Sequence, residues 1–196
     1  MHKLNKVTII PVSSEYVKQF TAMLNRAVWR DQWELEREAE VEKKLKDVKY
    51  HEYKKPLLLV RRNSDEQFLG YVSIRFGEFG STPTFQAFAD PAVELDETCW
   101  LETLDYIVRF LFEKSNQFRA STFNMVGFDP LLPMYRRIGF TPIGVEPKSR
   151  FVQGRFADME ALEYVQDSPF PVTKVDVAEL AGAGGTPPHW KESTGD

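Results

Sequence analysis

The 196-residue chain is long enough for one domain of about 150 residues with an appendage, and too short for two full domains. Its 42% hydrophobic and 28% charged content excludes disorder throughout, and 15 phenylalanines predict a core of large side chains. A formal charge of -4 excludes a global positive field, so neither nucleic acid nor a membrane surface is expected as a partner, and the arginine pairs Arg61-Arg62 and Arg136-Arg137 are too few to track a phosphate backbone. The single cysteine, Cys99, cannot form an internal disulfide and no Cys/His framework stands out. No metal is therefore expected, and a reducing, cytoplasmic setting is the simpler reading.

In chain order, "KVTIIPV" is β-branched and reads as a strand from about Lys6 to Val12, its apolar patch being too short for a signal-peptide core or a membrane span. "SSEYVKQFTAMLNRAVW" offers Ser13 or Ser14 as an N-cap, and Val17, Phe20, Leu24 and Ala27 or Val28 recur at helical spacing. From Asp31 to about Val48 acids come early and lysines late, which suits a solvated helix; Trp29 and Trp33 either anchor it or line a cleft mouth. "KYHEYKKP" reads as a loop that leaves His51 on the surface. "PLLLVRR" and "FLGYVSIRFGEF" flank "NSDEQ" as an antiparallel hairpin, and "TPTFQAFAD" extends it.

Trp100, Leu104, Ile107, Val108 and Leu111 form one stripe, predicting a helix from about Asp96 to Lys114, and "FRASTFNM" is again a strand. In "PLLPMYRRIGF", Pro130 and Pro133 fit a first helical turn, Leu132, Tyr135 and Ile138 share a face, and Gly139 supplies a left-handed cap after which Phe140 packs back. "TPIGV" and "RFVQGRFADMEALEYV" close the body as strands turned at Gln153-Gly154. Residues 1–166 thus form one domain. Beyond it, 167–196 is rich in Pro, Gly, Ser and Thr and is expected to be an extended or disordered tail, whose "PFPVTKVDV" has the composition to add a strand to an exposed sheet edge.

The order β-α-α-β-β-β-α-β-α-β-β, ending in "PMYRRIGFTPIGVEPKSRFVQGRFADMEALEY", resembles the GNAT superfamily of N-acetyltransferases, most closely the RimJ/RimL type. Tyr135, Gly139, Phe140, Gly154 and Asp158 match that family's order and approximate spacing, and the likeness covers roughly residues 5–166. The resemblance implies an α/β (α+β) fold, a mixed, mostly antiparallel splayed sheet with helices on both faces, and a slot between its fourth and fifth strands for acetyl-CoA as co-substrate. It further implies that the backbone of Phe88 and Ala89 pairs with the pantetheine arm. The amides of Glu97, Thr98 and Cys99, at the start of the next helix, would receive the pyrophosphate. Tyr135 would be the general acid for the departing thiolate. The bland alternative makes Tyr135 a core aromatic whose hydroxyl reaches the surface.

Two family marks are absent. The phosphate loop of the family reads Arg/Gln-x-x-Gly-x-Gly/Ala, whereas "DPAVELDETCW" has no Gly, Arg or Lys, and its acids Asp90, Glu94, Asp96 and Glu97 are expected to repel a pyrophosphate. Asp96 has the alternative reading of an N-cap and Glu97 that of a favourable first-turn acid. The family's asparagine after the fifth strand falls near residue 128, where Phe128 and Asp129 stand, and Asn124 lies too early unless the loop shifts. His51, Glu52 and Glu78 are open as general bases, and Cys99, with no histidine near it in sequence, is not expected to be a nucleophile. Two functions stay open. One is acyl transfer from acetyl-CoA to a primary amine of a small molecule or a protein N-terminus. The other is a non-catalytic GNAT-fold binding or assembly component, with a protein partner or further copies of itself engaged through the tail and the charged helix.

Overall fold

The β-branched and aromatic runs condense into one eight-stranded sheet of order β1-β2-β3-β4-β5-β6-β8-β7. The strands are β1 (His2–Lys3), β2 (Val7–Pro11), β3 (Leu57–Arg62), β4 (Phe68–Arg75), β5 (Thr84–Ala89), β6 (Arg119–Met125), β7 (Thr141–Val152) and β8 (Arg155–Val165). A computed structural model describes residues 1–27, 37–46, 56–76, 82–115 and 118–165, in a compact unit spanning Met1–Val165. Trp29, Trp33, His51, Glu52, Glu78 and the segment 167–196 lie outside the described residues.

Alternation along the strands sends side chains to two helical layers. On one face Ile9, Val60, Val72, Phe85 and Ala120 meet α3 (Glu97–Ser115) and α4 (Leu132–Arg137). On the other, Ile10, Leu59, Tyr71 and Phe88 meet Val17, Phe20 and Met23 of α1 (Val17–Arg26) and Val41 of α2 (Glu38–Lys46). The predicted α3 stripe is the core of the first layer, with Trp100, Leu104, Ile107 and Leu111 all buried. Neither Ser13 nor Ser14 caps α1 through its side chain; the chain enters through a 3-10 turn, Ser14–Tyr16, in which the Ser13 carbonyl accepts the Tyr16 N–H at 3.0 Å. The outermost strands make poor edges for a further strand: β1 has two residues, and β7 carries Pro142, Pro147 and irregular pairing between Glu146 and Arg150.

Every neighbouring pair of strands is antiparallel except β5 and β6. These two run parallel and meet at one register point, Thr84 opposite Ser121, where the Ser121 N–H donates to the Pro83 carbonyl at 3.0 Å. Beyond it the sheet parts. Among the described residues the β5 edge from Phe85 to Ala89 has no strand partner on the β6 side.

Candidate active site

In an antiparallel ladder, successive residues turn their backbone groups to opposite edges of the strand. The Asp90 N–H donates to the Leu69 carbonyl at 2.8 Å, so Phe88, two residues earlier, also turns its amide and carbonyl to β4, where it stands opposite Tyr71. This corrects the expectation for Phe88. Its backbone belongs to the β4 ladder and its ring packs against Tyr71 at 5.2 Å between centroids, so it has nothing to offer the gap. Ala89 and Ala87 have the opposite parity and face β6. The Ala87 N–H crosses the opening to the Tyr135 hydroxyl at 3.1 Å.

Tyr135 reaches that point because α4 is only six residues long, with Pro133 in its first turn, and stops sharply. Gly139, at φ +107, lets the chain reverse; a Cβ there would lie 3.1 Å from the Tyr164 ring. Phe140 then folds back onto Tyr135 (5.5 Å) and Phe85 (5.9 Å), while Phe85 flanks Tyr135 at 5.8 Å. The tyrosine is 0% exposed, so its hydroxyl lies inside the parted sheet and does not reach the surface. Burial, and secondarily the charge of Asp129, push its pKa well above the ordinary tyrosine range and make it a weaker acid; the Ala87 N–H and the Thr122 hydroxyl offset only part of this. The phenol stays protonated throughout the physiological range.

Asp129 follows β6 after the three-residue turn 126–128. Its Oδ1 accepts the Leu131 N–H at 2.9 Å, which shapes the turn into α4, and burial pushes its carboxyl up to about 6. Before a proline, such an aspartate reads in sequence as turn chemistry, and nothing local marks it as a site residue. Asn124, set aside in sequence as too early, is 2% exposed on β6, and its Nδ2 is buried with no hydrogen-bond partner among the described residues.

At the start of α3, Asp96 Oδ1 accepts both the Cys99 N–H (3.0 Å) and the Thr98 hydroxyl (2.8 Å). The N-cap reading of Asp96 therefore stands, and the expectation that the Cys99 amide receives a phosphate is corrected: a carboxylate already holds it. These bonds, with Arg62 at 3.5 Å, lower the Asp96 carboxyl to about 2. The Cys99 thiol is pushed up to about 11 by burial and by Asp96, opposite to any lowering by the helix dipole, so it is a packed thiol. The amides of Glu97 and Thr98 have no acceptor among the described residues.

The expected repulsion from four acids is largely answered by arginines that are distant in sequence. Asp90 takes Arg26 Nε and Nη2 at 2.8 and 2.5 Å, Asp96 faces Arg62, and Glu97 takes Arg137 Nη1 at 2.8 Å. The last pair ties the start of α3 to the end of α4. Among the described residues no group of three His, Cys, Asp or Glu is placed to hold a metal ion, and no helix is long and apolar enough to cross a membrane.

No protein-family model and no curated protein matches the sequence. Solved structures do. The spermidine N-acetyltransferase of Vibrio cholerae in complex with CoA and spermine superposes with a TM-score of 0.66 at 16% identity, over 82% of this chain and 96% of that one. A dodecameric structure of the same Vibrio cholerae enzyme gives 0.69 at 16% identity, over 82% and 94%. A putative acetyltransferase from Acinetobacter baylyi gives 0.65 at 13%, over 83% and 94%. Together with the mixed, mostly antiparallel sheet and its flanking helices, this likeness shows that the chain has the acetyltransferase fold of the GNAT superfamily.

Proposed function

We propose that the protein is an N-acyltransferase that moves an acyl group, acetyl in the first instance, from coenzyme A to a primary amine. One observation carries this reading: a buried, protonated tyrosine hydroxyl stands inside a parted sheet, bonded to the β5 edge. Acetyl-CoA, when bound, supplies an activated thioester carbonyl. In the transfer the amine nitrogen bonds the acyl carbon and the carbon–sulfur bond breaks; the nitrogen gives its proton to water, the sulfur takes one from Tyr135, and the Tyr135 phenolate recovers a proton from water, so that no proton is gained or lost overall. The backbone groups of Ala89, turned away from β4 and without a strand partner among the described residues, suit the amide-bearing pantetheine arm, and the Nδ2 of Asn124 on β6 is a further polar group without a partner among the described residues. The Glu97 and Thr98 amides, with Arg62 and Arg137 close by, suit phosphate oxygens. Small primary amines are the first acceptors to test, polyamines included because the similar Vibrio cholerae structure holds spermine; protein N-termini are the second class.

A specific observation favours the other reading, a non-catalytic binding or assembly component: Asp96 occupies the Cys99 amide in a loop with no glycine. Thermal shift separates the two. Acetyl-CoA at a hundred times its dissociation constant adds about 2.7 kcal/mol to the stability of an acyltransferase, and no shift overturns the proposal. Thiol release with a panel of amines then completes the test, since binding without any release supports the non-catalytic reading.

A further inference from the structure

We infer that the side-chain amide of Asn124 is a catalytic hydrogen-bond donor to the thioester carbonyl oxygen. The inference rests on the acyltransferase reading above. Counting three residues from the Thr84–Ser121 junction along each parallel strand brings Ala87 on β5 and Asn124 on β6 to the same level of the gap. Each strand rises about 3.3 Å per residue, so both stand about 10 Å beyond the junction. Alternation puts Asn124 on the same sheet face as Thr122, the β6 residue whose hydroxyl acts on Tyr135, and two residues further along the strand. A sulfur that receives the Tyr135 proton lies at this level, and the carbonyl carbon is bonded to that sulfur.

The two donors at this level differ in availability. The Ala87 N–H is engaged with the Tyr135 oxygen at 3.1 Å. The Asn124 Nδ2 is buried and has no partner among the described residues. Its neighbour across the β6–β8 ladder does not serve it, because Glu160 directs both carboxylate oxygens to Arg136, at 2.9 and 2.7 Å. A buried amide held unpaired lowers stability, and a carbonyl oxygen entering the gap removes that penalty. The donor is also screened: at 2% exposure it lies away from water, in place before negative charge collects on the oxygen and the C–N bond forms.

The test compares wild type with Asn124→Leu, which keeps the size and removes the donor, and with Asn124→Ala should the leucine variant fail to fold. Titrations with CoA and with acetyl-CoA are followed by 13C NMR of acetyl-CoA labelled at the thioester carbonyl, and then by turnover. In wild type the carbonyl resonance moves downfield on binding. In the variant that movement is lost, turnover falls about a hundredfold, CoA affinity stays within about threefold of wild type, and the free protein melts no lower. An unchanged carbonyl shift in the variant overturns the assignment. So does an equal weakening of CoA and acetyl-CoA, which makes Asn124 a holder of the arm instead. If wild type binds neither ligand, the acyltransferase reading fails and this inference falls with it; if wild type binds and only the shift is unmoved by substitution, the inference alone falls.

Discussion

Asp129→Asn is expected to stabilise the protein, and by an amount that grows with pH. Burial raises the Asp129 carboxyl from 3.8 to about 6. A tenfold change in acidity corresponds to about 1.36 kcal/mol, so ionising this group costs the folded chain about 3 kcal/mol relative to the unfolded one. Below pH 4 both states hold the proton and no cost arises. Between pH 4 and 6 the folded chain retains a proton that the unfolded chain has released, so stability falls as pH rises; above 6 the full cost is present. Asparagine keeps an oxygen for the Leu131 N–H, bonded at 2.9 Å in the wild type, and cannot ionise. Urea denaturation followed by circular dichroism at pH 4.5 and pH 8 measures the difference. The variant's advantage should be about 1 kcal/mol at the lower pH and should widen by about 2 kcal/mol at the higher one. An advantage that does not change with pH, or a variant less stable than wild type at pH 8, refutes the buried, ionised carboxylate.

Two further substitutions probe the gap and its wall. Tyr135→Phe leaves the Ala87 N–H without an acceptor, so it should cost about 1 to 2 kcal/mol in a denaturant titration and slow turnover by about a hundredfold or more, with acetyl-CoA affinity nearly unchanged; turnover equal to wild type would return the hydroxyl to a purely structural role. Gly70→Ala places a Cβ 1.9 Å from the Phe88 carbonyl oxygen and 2.9 Å from Trp100 Cζ2 at a backbone angle side chains rarely adopt. Because the first obstacle is β5 itself, the substitution should cost about 2 kcal/mol or more and lower the denaturation midpoint, and an unmoved midpoint contradicts the close packing of β4 on β5.

What the sequence made legible was local. The α3 stripe, the β3–β4 hairpin, the Gln153-Gly154 turn and the Gly139-Phe140 reversal each depend on residues within a few positions of one another, and each stands where its spacing places it. The backbone direction of Phe88 and Ala89 was not legible. Alternation in sequence assigns side chains to faces, but which strand edge an amide meets depends on the register against β4, where Gly70 stands opposite Ala89. At Cys99 two sound readings competed for one N–H, and the proximity of the Asp96 carboxylate settled it. The arginines that answer the loop's acids lie 64, 34 and 40 residues from their partners, and no periodicity links positions so far apart. Asn124 carries no sequence signal beyond being a polar residue in a strand; only the parting of β5 from β6 gives its position chemical meaning.

The parting itself follows from where large side chains are placed. A parallel pair with one point of contact leaves a row of unpaired backbone groups, and a row of that kind inside a protein is costly unless something takes the place of the missing strand. Here Phe85 on β5, Tyr135 on α4, Phe140 after it and Tyr164 on β8 form a continuous aromatic bridge beneath α4, with centroids 5.5 to 5.8 Å apart. The bridge spans from β5 past β6 to β8, and the Tyr135 hydroxyl stands in for a strand carbonyl at Ala87. One side chain thus supports the opening with its ring and carries a proton at its tip. The two roles separate under substitution: phenylalanine retains the support and loses the proton, whereas alanine removes the ring and leaves a cavity into which β5 and β6 can close. A Tyr135→Phe protein slowed about a hundredfold or more that still binds acetyl-CoA, beside a Tyr135→Ala protein that does not bind it, is the pattern this geometry requires.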